Sequence, residues 1–565
     1  MAYDLLIKGG RIIDGSGMPS FHGDLGVKNG KIVEAGKLTG AADRTIDVGG
    51  LVVAPGFIDN HCHYDAQAFW DPMCSFSSYH GSTSAVIGNC SLALAPAHEG
   101  DRAFLSQMLA RVESIPLEVL EAGVPWNWET YPEYMDALGE NLGINLGCLM
   151  GHSAIRRYVM GEAAQERQAS VDEINAMKAI VRSGLEAGAL GLSSEYNTRH
   201  FDMQGKQLPA SVASTEELFS LASVLGELGT GSIQYGDSHN RELSEQLCSR
   251  LSEEIGRPVV YIAIVERAIA PGHWKQQLDH AGAKIREGIR AYPLVNPRPG
   301  DQRFTMKTAQ HFDSMPTWKR VMLLPLEERK AAFRDSEVRR QLHIEGVETV
   351  PNLEEAGVFT RRWDLAFVHK PALEKNASLK GKTIEQMASD QGKGVIDALL
   401  DLVLEEDLET EFERREVNSD TVAMTEILNS PYAIIGLSDG GAHLAFRTDY
   451  SFTTYFLSHY VRELGIMPLE KAVRKLTLDS ATVYGITDRG MLRPGLAADI
   501  VVFDPDTIDS LEPEEAFDLP GGAKRRKQLA KGIEYTIVNG QVVLERNQPT
   551  GALPGRVLRN SLAMA

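Results

Sequence analysis

The stretch Val53–Asp65, VAPGFIDNHCHYD, runs an apolar strand into a cluster of polar side chains. Leu51–Ala54 and then Phe57–Ile58 are strand-like, and the run ends in His61-Cys62-His63. Side chains alternate along a strand, so His61 and His63 share one face, about 6–7 Å apart along the backbone. Two imidazoles on one face can converge on a single metal ion. A His-x-His pair alone is equally compatible with two hydrogen-bonded, inert side chains. Its place at a strand end favours the metal.

Outward from this stretch, short apolar runs alternate with long amphipathic ones. Gly143–Met150, Ala189–Ser193, Gly231–Tyr235, Pro258–Ile264 and Ile434–Leu437 read as strands. Val171–Gly188 carries Ile174, Met177, Ile180, Val181 and Leu185 at helical spacing. Strand–helix alternation over this length predicts a (β/α)₈ barrel with a parallel sheet. The first 55 residues have a different texture. Tyr3–Lys8 alternates, Gly9-Gly10 breaks it, and Gly23–Ala35 reads as a hairpin around Lys28-Asn29-Gly30. The same texture returns near the other end, with Ile500–Phe503, Tyr535–Val538, an Asn539-Gly540 turn and Gln541–Leu544. The two blocks are expected to pair as a small composite β-sandwich. The domain reading is therefore 1–55 for its first part, 56–485 for the barrel, and 486–565 for the second part and tail. An irregular, charged insertion spans about 296–425.

The 565 residues carry a net charge of −20, which argues against nucleic acid or an anionic membrane as partner. No apolar run is long enough to span a membrane. MAYDLLIKGG lacks the features of a secretory leader. The five cysteines, Cys62, Cys74, Cys90, Cys148 and Cys248, are too few and too odd in number for a disulfide framework. These features predict a cytoplasmic protein acting on a small molecule, alone or as a homo-oligomer.

Two further strand ends carry chemistry. Cys90 follows Val86-Ile87-Gly88-Asn89. A lone cysteine is usually a small buried hydrophobe, but its thiolate is a good zinc ligand. Asp439 follows Ile434–Leu437 and Ser438. An Asp before Gly is also a common turn.

These motifs resemble the amidohydrolase superfamily, most closely its N-acyl-D-amino-acid deacylase (D-aminoacylase) branch. The resemblance rests on VAPGFIDNHCHYD, Gly88-Asn89-Cys90, Gly151-His152-Ser153, Ser438-Asp439-Gly440 and the tail DRGMLRPGLAADIVVFDP at Asp488–Pro505. It implies a metal-dependent hydrolase of an amide C–N bond, with one or two Zn²⁺ or other divalent ions. By resemblance His61, His63, Cys90 and Asp439 are metal ligands, and Asp439 is also the general base and then acid. His152 matches the family's Gly-His pair and is a substrate-side candidate.

The sequence departs from the pattern in three places. Ser91 stands where the family commonly has glycine. The fifth strand offers only His239, in Ser238-His239-Asn240-Arg241, and the sixth, Val259–Ile264, has no histidine. His200 and His443 are candidate substitutes for metal or substrate. The family's Ser-His-Lys cation is also missing, which leaves Arg199, Arg298 and Arg447 as carboxylate partners. Among the aromatic residues, Trp70 is the best placed to line a pocket. The leading expectation is hydrolysis of an acylated amino acid or related amide. Hydrolysis of a cyclic amide, lactone or ester, a decarboxylation, and a non-catalytic assembly role stand behind it.

Overall fold

The computed structural model describes residues 2–564 apart from 140, 198–199, 238–240, 308–311, 313, 351–358 and 446. The chain forms two units: Met1–Ile264, Trp274–Pro297 and Thr425–Ala565 make one, Val265–His273 and Arg298–Met424 the other.

The first unit is built on eight barrel strands. They are β1 (Phe57–Asp59), β2 (Ser82–Ile87), β3 (Asn145–Gly151), β4 (Gly191–Tyr196), β5 (Ser232–Asp237), β6 (Val259–Ile262), β7 (Ala291–Val295) and β8 (Ile434–Ile435). They lie in sequential order and every adjacent pair is parallel. β2 and β3 are buried along their whole length, as parallel strands covered on both faces must be. Just past the strand ends, β1 and β8 meet through a parallel bridge between Cys62 and Gly440. The Asn60 amide adds to this seam by donating to the Ile435 carbonyl at 2.9 Å and to Ser480 Oγ at 2.8 Å.

The connecting helices follow their sequence signals. The helix Val171–Glu186 opens on a capping box, Ser170 with Glu173, that satisfies two otherwise unpaired N–H groups. It stops before Gly188, whose φ of +111° turns the chain towards β4.

The two chain ends join in one nine-stranded sheet. Val52–Pro55 pairs antiparallel with Ile500–Phe503, so residues from both ends share the core of Leu5, Val27, Val53, Ile500 and Ile537. Both Asn-Gly turns have positive φ at both residues: Asn29 (+50°) and Gly30 (+72°), Asn539 (+45°) and Gly540 (+81°). That is the two-residue hairpin geometry this dipeptide favours. One local expectation fails. Gly9-Gly10 does not end a strand, because Tyr3–Ile12 is continuous and only its register shifts between Ile7 and Gly10. Gly9, at φ +72°, admits a bulge where a side chain would resist it.

The second unit is inserted between β7 and β8. It holds a three-stranded antiparallel sheet, Asp301–Phe304, Glu411–Arg415 and Ala366–Lys370, with Phe312, Trp318, Phe333 and Phe412 in its core. Val265–His273 belongs to it as well, through the bridge between Arg267 and Val417. A bridge between residues so far apart along the chain leaves no local signal in the sequence.

Candidate metal centre

Four sequence-predicted residues come together at the C-terminal ends of the barrel strands. His61, His63 and Cys90 are buried, and their donor atoms lie within 4.8 Å of one another. Cys90 Sγ is 3.5 Å from His61 Nε2. Asp439 Oδ1 is 3.6 Å from His61 Nε2 and 3.9 Å from His63 Nε2.

Each donor is aimed by backbone. β1 delivers His61, whose carbonyl accepts from the amides of Ser438 and Asp439 at 3.1 and 3.2 Å. The His63 amide donates to the Gly440 carbonyl at 2.6 Å. Gly441, at φ +89°, passes so close to the His63 carbonyl that a Cβ would strike it. The Cys90 amide donates to Gln234 Oε1, on β5, at 2.7 Å. Cys90 (φ +52°), Asp439 (+48°) and His443 (+52°) all sit in the left-handed region that L side chains rarely adopt. Such strain clusters at functional sites.

The donors suit a divalent cation. The carboxylate–imidazole separations of 3.6 and 3.9 Å are too long for good hydrogen bonds, whereas 3.5 Å between Cys90 Sγ and His61 Nε2 is within the longer reach of sulfur. Two donors sharing an ion at about 2.0–2.3 Å stand about 3.3–3.8 Å apart in a tetrahedral site. The Nδ1 atoms of both histidines are buried without a hydrogen-bond partner among the described residues.

Electrostatics point the same way. Burial, and then each other's proximity, holds His61 well below the usual histidine range, and burial takes His63 down to about 3. Both are therefore neutral imidazoles, the form that binds metal. Burial raises Asp439 to about 6 against the opposing pull of Arg447. Burial also pushes the Cys90 thiol well up. A cation reverses that last effect, because a coordinating thiol is deprotonated outright.

Around this core stand groups that the sequence reading weighed singly. Arg447 Nη1 lies 3.0 Å from Asp439 Oδ2 and 3.6 Å from Asp449 Oδ2. His200 Nδ1 is 3.0 Å from the buried Glu195 at the end of β4. His443 Nε2 is 3.7 Å from Glu113 Oε2. His239 and Arg199 lie outside the described residues.

His152 is not brought to the cluster. It is fully buried, and its two ring nitrogens pair with Ser194 Oγ and Glu217 Oε1, both at 2.9 Å. Its neighbour Arg156 binds the same Glu217 oxygen, so the pair anchors a helix. Trp70 is half-buried and packs where Gly123 leaves room for its ring.

Glu113 escaped the sequence reading altogether. It caps the helix Arg102–Val112, where a glutamate looks like an ordinary surface charge, yet its side chain is only 5% exposed. No sequence pattern marks it.

A parallel barrel that gathers imidazoles, a thiol and a carboxylate at its strand ends defines a barrel hydrolase of the metal-dependent class. The model of the Amidohydrolase family matches residues 44–544, and the chain belongs to that family of metal-dependent amide hydrolases. It is 30% identical to the D-aminoacylase of Alcaligenes xylosoxydans xylosoxydans, over 99% of this chain and 98% of that one. A crystal structure of D-aminoacylase superposes with a TM-score of 0.65 at 26% identity, covering 99% of this chain and all of that one. The N-acyl-D-glutamate deacylase of Bordetella bronchiseptica, solved with zinc and a phosphonate inhibitor, superposes with a TM-score of 0.65 at 25% identity and the same coverage.

Proposed function

We propose that this protein hydrolyses the amide bond of an N-acyl amino acid of the D series, with zinc held by His61, His63, Cys90 and Asp439. The observation that carries the reading is the convergence of His61, His63 and Cys90, whose donor atoms lie within 4.8 Å of one another, with Asp439 Oδ1 at 3.6 and 3.9 Å from the two histidines. The relatives named above are deacylases of that substrate class.

Two nitrogens, a sulfur and a carboxylate suit zinc. When bound, such an ion supplies Lewis acidity for the amide carbonyl and lowers the pKa of water beside it. The remaining work falls to the chain's own residues. His61 and His63 are buried, whereas Asp439 keeps 20% of its side chain exposed, so Asp439 is the donor that an entering substrate meets. Its carboxylate is set to take a proton from the attacking water and return it to the leaving nitrogen. Arg447 fixes the carboxylate through Oδ2, which leaves Oδ1 towards the histidines. Arg447 is 34% exposed and has five N–H donors, so it is also the cation best placed for the substrate carboxylate in place of the family's missing lysine. His443, 21% exposed, stands on the same side. His200 and His239 remain candidate second-site or substrate groups, and the buried, reduced cysteines fit a reducing cytoplasm.

The test is a panel of N-acetyl-D- and N-acetyl-L-amino acids with zinc-loaded protein. Release of free D-amino acid, with kcat/KM reduced at least about tenfold by Arg447→Gln, is the expected result. No amide hydrolysis across the panel would overturn the reading.

A further inference from the structure

Glu113 stands on the wrong side of His63 to be a mere support. A carboxylate that orients a metal-binding histidine accepts from the ring nitrogen facing away from the metal. In His63 that nitrogen is Nδ1, which is buried and has no hydrogen-bond partner among the described residues. Glu113 Oε1 instead lies 3.6 Å from Nε2, the same nitrogen that faces Asp439 Oδ1 at 3.9 Å. The spacing is too long for a hydrogen bond and equals the 3.6 Å between Asp439 Oδ1 and His61 Nε2. The second oxygen, Oε2, lies 3.7 Å from His443 Nε2, again the spacing of two donors.

The carboxylate is held for this purpose by its backbone. The Glu113 carbonyl accepts from the His443 amide at 2.6 Å, so the helix end and the loop after β8 are locked together. Ser114 follows in the left-handed region, at φ +54°, which turns the chain sharply away.

We infer that Glu113 is a direct metal ligand of this chain, with one carboxylate oxygen shared with the His63 site and the other turned to His443. His443 then belongs to the same donor set. Glu113 supplies the ligand that β6 does not, where Val259–Ile264 offers no histidine. The inference rests on the proposed metal-hydrolase function and sharpens it.

Zinc content by mass spectrometry and zinc affinity by chelator competition test the inference, with wild type, Glu113→Gln and Cys90→Ala compared. Glu113→Gln is expected to lose at least about tenfold in affinity for one ion, or that ion entirely, with the apo-protein Tm unchanged. Cobalt-substituted protein is expected to show an altered visible spectrum in the same variant. Should Glu113→Gln fold poorly, Glu113→Asp keeps the charge but withdraws both oxygens, and the same loss is expected. Wild-type affinity and stoichiometry in the folded variant would overturn the inference and leave the proposed function standing. Wild-type protein that binds no zinc would overturn both.

Discussion

Asp439 Oδ1 lies 3.6 Å from His61 Nε2, so the first and last strands of the barrel present their donors to one point. Asp439 is also the donor of that pair open to solvent. If it carries the proton, Asp439→Asn lowers kcat by about 10²–10⁴-fold. A steady-state assay on an N-acetyl-D-amino acid checks this, with zinc content measured alongside to separate lost chemistry from lost metal.

Cys90 is buried, and its thiol stays protonated unless a cation lies beside it. Cys90→Ala is expected to weaken zinc at least about tenfold, while Cys62→Ala, whose Sγ donates to the Val86 carbonyl, leaves affinity unchanged. Chelator competition reads both.

The seam between β1 and β8 depends on Asn60. Its amide donates to Ile435 and Ser480, and its oxygen accepts from the Leu437 amide at 3.3 Å. Asn60→Ala leaves these groups buried and unpaired, at a cost of about 2–4 kcal/mol. Gly436→Ala, whose new Cβ would collide with the Asn60 side chain, is expected to destabilise as well. Thermal denaturation of both variants, with zinc content, tests whether the seam aligns the donors.

Much of this was readable from the sequence, and the failures share a cause. The His61-x-His63 pair stands out as a local pattern although β1 ends two residues before it, and the two Asn-Gly turns are marked by a dipeptide that few other conformations favour. Each is a local pattern. Glu113 was invisible because the groups it meets, His63 and His443, lie far from it along the chain. His152 follows β3, and Glu217, on a helix beyond β4, pairs with its ring, a contact with no local sign in the sequence. The segment 265–273 was assigned by its neighbours in sequence, although its β-bridge is with Val417.

The inserted unit carries its own pH signature. Burial alone would raise Glu413, but hydrogen bonds from His369 and Arg415 hold it down at about 2. The folded value lies below the ordinary 4.5. The unfolded state therefore binds the proton more readily, and stability falls as pH drops from about 4.5 to about 2. The loss is at most about 3–4 kcal/mol. Glu413→Gln is expected to be less stable than wild type at pH 7 and to lose less on acidification, as urea titrations across that range will show.

If a cation held by His61, His63, Cys90 and Asp439 drives hydrolysis of an acylated amino acid, the rate must follow the metal. N-acetyl-D-amino acid hydrolysis is measured as a function of bound zinc, from metal-stripped protein through stepwise reloading. Negligible activity without metal and a rise in step with the first ion bound are expected. Full activity in metal-free protein, or none with the site filled, would contradict this dependence on the metal.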